Sequence, residues 1–122
     1  DEIPVLYRID PTSMSIEESF AFSSNGESPS RLCANASGEI LYFINGGVYA
    51  QSITATELNS SPLIESSSAY FYGLGVHAST GDIYVSDAKD FVQKGEVFRY
   101  STTGELIDSF ETEYVPSGFY FN

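Results

Sequence analysis

Ser37-Gly38-Glu39-Ile40-Leu41-Tyr42-Phe43-Ile44 and Thr80-Gly81-Asp82-Ile83-Tyr84-Val85-Ser86 are one pattern written twice, with the second glycine 43 positions after the first. A hydroxyl residue, a glycine and a carboxylate precede an apolar run. Glycine among short polar residues supplies the positive φ that a tight hairpin loop needs. The apolar run after it reads as the returning strand, and the first run is apolar throughout, as expected of a strand covered on both faces. The two copies define hairpins over about residues 29–45 and 70–87.

A second kind of hairpin alternates with the first. Leu6-Tyr7-Arg8-Ile9-Asp10 returns as Val48-Tyr49-Ala50-Gln51-Ser52 and again as Val97-Phe98-Arg99-Tyr100-Ser101. Each copy runs into a polar turn, and Pro11 in the first of them fits a turn and would break a central strand. Glu18-Ser19-Phe20 likewise returns as Asp108-Ser109-Phe110. A period of forty-odd residues carried by short β-type runs is the signature of propeller blades or a related β array.

With the strands of one unit labelled a to d, the chain reads c-d, a-b-c-d, a-b-c-d, a. Residues 1–22 are then the second half of a blade, 29–65 and 70–111 are blades, and 116–122 are the first strand of a closing blade. Pro116-Ser117 leads into that last strand as Pro29-Ser30 leads into an earlier one. The expected fold class is all-β, an arc of about two and a half to three four-stranded antiparallel blades, incomplete as a closed ring. A self-contained β-sandwich is the alternative, but it leaves the fixed order of the two hairpin kinds unexplained. A blade buries its faces only against neighbours, so an open arc leaves two faces uncovered. Gly118 to Phe121 are therefore expected to pair with strands from the remainder of the same propeller or from a second copy.

The 122 residues are 42% hydrophobic and 15% aromatic, which is globular rather than disordered composition. Nine Tyr and nine Phe, with no Trp, favour strands. Seventeen acidic residues against five basic ones give a net charge of −12. Such a chain repels nucleic acid and anionic membrane surfaces, so neither is an expected partner. No run approaches the ~18 apolar residues of a membrane span, so no membrane insertion of this segment is expected. No signal peptide is evident, and a chain opening on Asp1 reads as a processed or truncated product. The single Cys33 permits no internal disulfide and reads as a small buried hydrophobe.

Gly81-Asp82-Ile83-Tyr84-Val85-Ser86-Asp87, followed by Gly95-Glu96-Val97-Phe98-Arg99-Tyr100, resembles the YVTN-type β-propeller repeat of surface-layer-like proteins. Leu6-Tyr7-Arg8-Ile9-Asp10-Pro11 is similar to its second half. Val115 to Phe121 resemble the closing strand of such propellers from Bacteroides-type bacteria. The resemblance implies a bacterial cell-envelope or secreted location. It also implies a non-enzymatic binding or scaffold module, its ligand a corrinoid or a glycan. It brings no ligand residues, since no ligand motif matches, and no cofactor.

Read from the residues, the candidate sites are few. His77, the only histidine, lacks a nucleophile-elbow pattern and reads as a satisfied strand residue. Asp87 and Asp90 share a loop with Lys89 and Lys94, which reads as a solvated loop rather than a calcium site. Gly73, Gly75 and Gly118 suit a crowded central channel. Fold analogy points to the face bearing the d–a and b–c loops, residues 23–28, 45–47, 65–71, 87–95 and 111–116. On that face Tyr70 and Tyr114 are the expected aromatic anchors for a flat or sugar-like ligand, with Asn45 and Asp87 supplying directed hydrogen bonds. A metal-dependent lyase or hydrolase using channel carboxylates, and a pure protein–protein scaffold, are the alternative classes.

Overall fold

The computed structural model describes residues 2–122. Among them there is no helix, and nine antiparallel strands form three successive sheets. β1 (Val5–Asp10) and β2 (Ser15–Ala21) make a two-stranded sheet. β3 (Ser30–Ala34), β4 (Ile40–Asn45) and β5 (Gly47–Ser52) make a three-stranded one. β6 (Phe71–Val76), β7 (Ile83–Asp87), β8 (Lys94–Tyr100) and β9 (Leu106–Tyr114) make a four-stranded one. Every sheet is a simple meander in chain order. The all-β class expected from the sequence is what the chain adopts. Having no helix, the described residues offer none long and apolar enough to cross a membrane.

The turns follow from local chemistry. Gly38 and Gly81 sit at φ 73° and 76°, the left-handed conformation their hairpins require. Asp10 and Ser52 end the first strands of the other hairpin kind, and Ser101 directly follows the end of β8. Each accepts, through its side-chain oxygen, the N–H of the threonine two residues on: Thr12 at 2.8 Å, Thr54 at 3.2 Å and Thr103 at 3.2 Å. A short polar side chain thus substitutes for a backbone acceptor at the same place in all three sheets.

The sheets pack through period-two faces. Tyr42, Ile44, Val48 and Ile64 from the second sheet region meet Phe71, Ile83 and Val85 from the third. Val48, Ile83 and Val85 are fully buried, each contributing about 1.5–3 kcal/mol of transfer free energy. The first sheet joins the second through Phe22, edge-on to Phe43 at 5.8 Å, and Phe43 stacks on Tyr49 at 5.4 Å.

Two expected strands differ. Residue 64 contributes only an isolated bridge, Val48 to Ile64, so the second sheet has three strands rather than four. Pro62 accompanies it and has no N–H to give a ladder. Residues 116–122 form no strand and pair with no other segment. They lie instead over the face of β6 and β7. The Ser86 hydroxyl donates to the Pro116 carbonyl, and Phe119 and Phe121 pack on Tyr84 at 6.0 and 5.1 Å. Gly73 and Gly75 make the groove: a Cβ on Gly75 would stand 3.0 Å from Phe119, and one on Gly73 as close to the Ser117 backbone. Within this chain they admit the C-terminal segment. Phe119 and Phe121 are thereby half-buried against their own chain, while Tyr120 between them is 89% exposed.

Candidate ligand-binding site

Tyr70 immediately precedes β6, and its main chain is held at both ends. Its N–H donates to Asp87 Oδ1 at 3.0 Å, and its carbonyl accepts from Ala88 N at 3.1 Å. Asp87 Oδ1 also accepts from Lys89 N at 2.7 Å. Alternation along the chain sends Phe71 into the core and turns Tyr70 and Tyr72 the other way. Their rings stack at 6.5 Å, with 30° between planes.

The loop between β7 and β8 brings a third ring. Phe91 stands edge-on to Tyr72 at 5.3 Å and to Tyr70 at 5.5 Å. The Asp90 carboxylate shapes this loop, accepting from Val92 N and Gln93 N through Oδ1 and from Gln93 Nε2 through Oδ2. These bonds hold the Asp90 carboxyl below the usual carboxylate range, the Gln93 side chain being the largest cause. Tyr70 is 56% and Phe91 42% exposed, so two of the rings present faces to solvent although their backbones are fixed.

From the second sheet, Arg31 reaches this cluster. Its Nε donates to the Tyr72 carbonyl at 2.8 Å, and its guanidinium carbon lies 4.9 Å from the Tyr72 ring centre. An open cleft of about 340 Å³ runs between residues 28–31 of one sheet and 70–72 of the next.

The residues singled out from sequence divide. Tyr70 is in the cluster. Tyr114 is not: it is the last residue of β9, opposite Lys94, 59% exposed, and in no aromatic pair among the described residues. Asn45 and Asp87 both act as supports. Asn45 Oδ1 accepts from Ser28 N at 3.3 Å and Nδ2 donates to Glu27 at 3.1 Å, while Asp87 holds Tyr70. Both close the end of the second strand of their sheet over the segment leading into the first, each with its Oδ1 accepting a main-chain N–H.

His77 lies just past β6, where its Nδ1 accepts from Ser79 N at 3.2 Å and Thr80 N at 3.3 Å and its ring packs on Phe121. That nitrogen staples a turn and has no free lone pair for a base. Cys33 is half-buried, and burial pushes its thiol up, away from nucleophilic character. Among the described residues no three His, Cys, Asp or Glu side chains are grouped to hold a metal ion. Arg31 and Phe91 were missed from sequence. The signal for Arg31 was available: a rare base in a very acidic chain, without an acidic neighbour in sequence.

No family model matches the chain, and no curated protein is similar to it.

Proposed function

We propose that this chain is part of a YVTN-like β-propeller from the bacterial envelope or a secreted protein, acting as a non-enzymatic binding module. The ligand is flat or sugar-like, a glycan or a corrinoid, and it stacks on Tyr70 and Phe91. The meander sheets and the recurring turns support the propeller reading. The observation that carries the binding reading is the cluster itself: exposed rings on a backbone tied down by Asp87 and Ala88. Rigid amphipathic rings offer contact area at low entropic cost. Titration of the wild-type chain, Tyr70→Ala and Phe91→Ala with cobinamide and a glycan panel, beside thermal melts, tests it. Loss of affinity with retained melting temperature supports the reading. Lowered melting temperature with affinity per folded molecule unchanged makes the rings packing elements and overturns it.

A second reading, a protein–protein scaffold, is favoured by β9. Leu106, Ile107, Phe110 and Tyr114 are all about half exposed or more along this edge strand. Concentration-dependent sedimentation that is abolished by Phe110→Ser would support it.

A further inference from the structure

Three of the five basic residues are committed to carboxylates among the described residues. Arg8 lies 3.2 Å from Glu18, Lys94 3.5 Å from Glu113 and Arg99 2.6 Å from Asp82. Arg31 is the one arginine without a carboxylate partner among the described residues, although acidic residues outnumber basic ones 17 to 5. It is nonetheless fixed. Nε is held by the Tyr72 carbonyl and the guanidinium plane is held over the Tyr72 ring, while Nη1 and Nη2 bond no described residue. The unused pair of nitrogens is the edge that matches a carboxylate with two parallel hydrogen bonds.

Backbone conformation singles out the same place. Among the described residues six non-glycine residues have positive φ, and three of them, Arg31 at 60°, Lys89 at 51° and Phe91 at 66°, belong to this cluster or its loop. Side chains seldom adopt that conformation, and it persists where surrounding bonds impose it, which concentrates it at binding sites. Lys89 also lacks a carboxylate partner. The hydroxyls of Ser28 and Ser30, on the opposite wall of the cleft, have no side-chain partner among the described residues.

We propose that Arg31, Tyr70, Tyr72 and Phe91 form a site for a sugar ring carrying a single carboxylate. The inference rests on the aromatic cluster being a sugar-binding surface, and adds the charge of the ligand. The ring stacks on the exposed aromatics, the carboxylate takes the Arg31 fork, and the serine hydroxyls meet ring hydroxyls. A net charge of −12 opposes a polyanion, so the ligand carries one charge at this site rather than a run of them.

The test is calorimetric titration of the full chain, at low ionic strength, with methyl glycosides of galacturonate, glucuronate and mannuronate. The neutral parent glycosides and a 6-sulfated galactoside are run beside them. Carboxylate sugars should bind roughly tenfold or more tightly than neutral ones. Arg31→Gln should erase that difference at an unchanged melting temperature, and Arg31→Lys should restore part of it. Equal affinity for acidic and neutral sugars, with Tyr70→Ala weakening both, overturns the charge inference and leaves the aromatic surface standing. Tighter binding of the sulfate ester overturns the carboxylate assignment. Failure of every sugar to bind overturns both. If Arg31→Gln does not fold, the wild-type preference for carboxylate over neutral and sulfated sugars, or its absence, decides alone.

Discussion

The Tyr70 N–H donates to Asp87 Oδ1 at 3.0 Å, and the Ser28 N–H donates to Asn45 Oδ1 at 3.3 Å across the same separation of 17 residues. One clasp is built twice, in two sheets, from a carboxylate in one and an amide in the other. In both cases a side chain at the end of the second strand captures the segment that enters the first strand. Two positions that read as ligand donors are thereby also parts of the fold.

Asp87→Ala should leave two main-chain N–H groups without an acceptor and cost about 1–3 kcal/mol. Asp87→Asn keeps the acceptor, as Asn45 does in the other sheet, and should cost less than about half of that. Urea denaturation followed by tyrosine fluorescence compares the two. Equal losses would mean that the charge, and not the acceptor, matters.

Gly38→Val and Gly81→Val should each cost about 1–3 kcal/mol through the positive φ alone. The second should cost more. A Cβ at Gly38 meets nothing within 4 Å, whereas one at Gly81 would stand 2.8 Å from Thr102 Cγ2. Matched denaturation curves that rank them in the opposite order would contradict this account of the turns.

Acid should destabilise the chain through identifiable groups. The Arg99 guanidinium, donating through Nε at 2.9 Å and Nη2 at 2.6 Å, holds the Asp82 carboxyl below its ordinary value. The Ser13 hydroxyl does the same to Asp10, the Gln93 side chain to Asp90 and the Ser24 N–H to Glu27. A carboxyl depressed in the folded state stabilises it fully above its unfolded value. That contribution disappears as pH falls through the folded value. Melting temperature should therefore hold down to about pH 4 and decline below it. Asp82→Asn should lower the plateau and flatten the decline.

Deleting residues 116–122 should uncover Gly73, Gly75, Tyr84 and Ser86 and leave the face of β6 and β7 without its cover. The shortened chain should melt earlier and self-associate with rising concentration in sedimentation velocity. A truncated chain as stable and as monomeric as the parent would show that the Phe119 and Phe121 contacts contribute nothing.

Most strand positions and the glycine turns were legible in the sequence because both are local, although the strands expected at Ile64 and at Gly118 to Phe121 do not form. Alternating apolar residues, a glycine at a positive-φ corner and an Asp or Ser two residues before a threonine act within a few bonds of themselves. The all-β class and the Gly38 and Gly81 turns followed from that. Tyr70 was legible for the same reason, as an aromatic at the entrance of a strand. Arg31 beside Tyr72, Phe91 on Tyr70, and Phe119 over Gly75 were not. They join residues 41, 21 and 44 positions apart, and no periodicity records which sheet face meets which. Asn45 and Asp87 show the same division from the other side. Their chemistry as acceptors was written in their side chains, but only the folded chain decided which main-chain N–H would reach them, because that depends on the segment 17 residues earlier being laid beside the end of the strand.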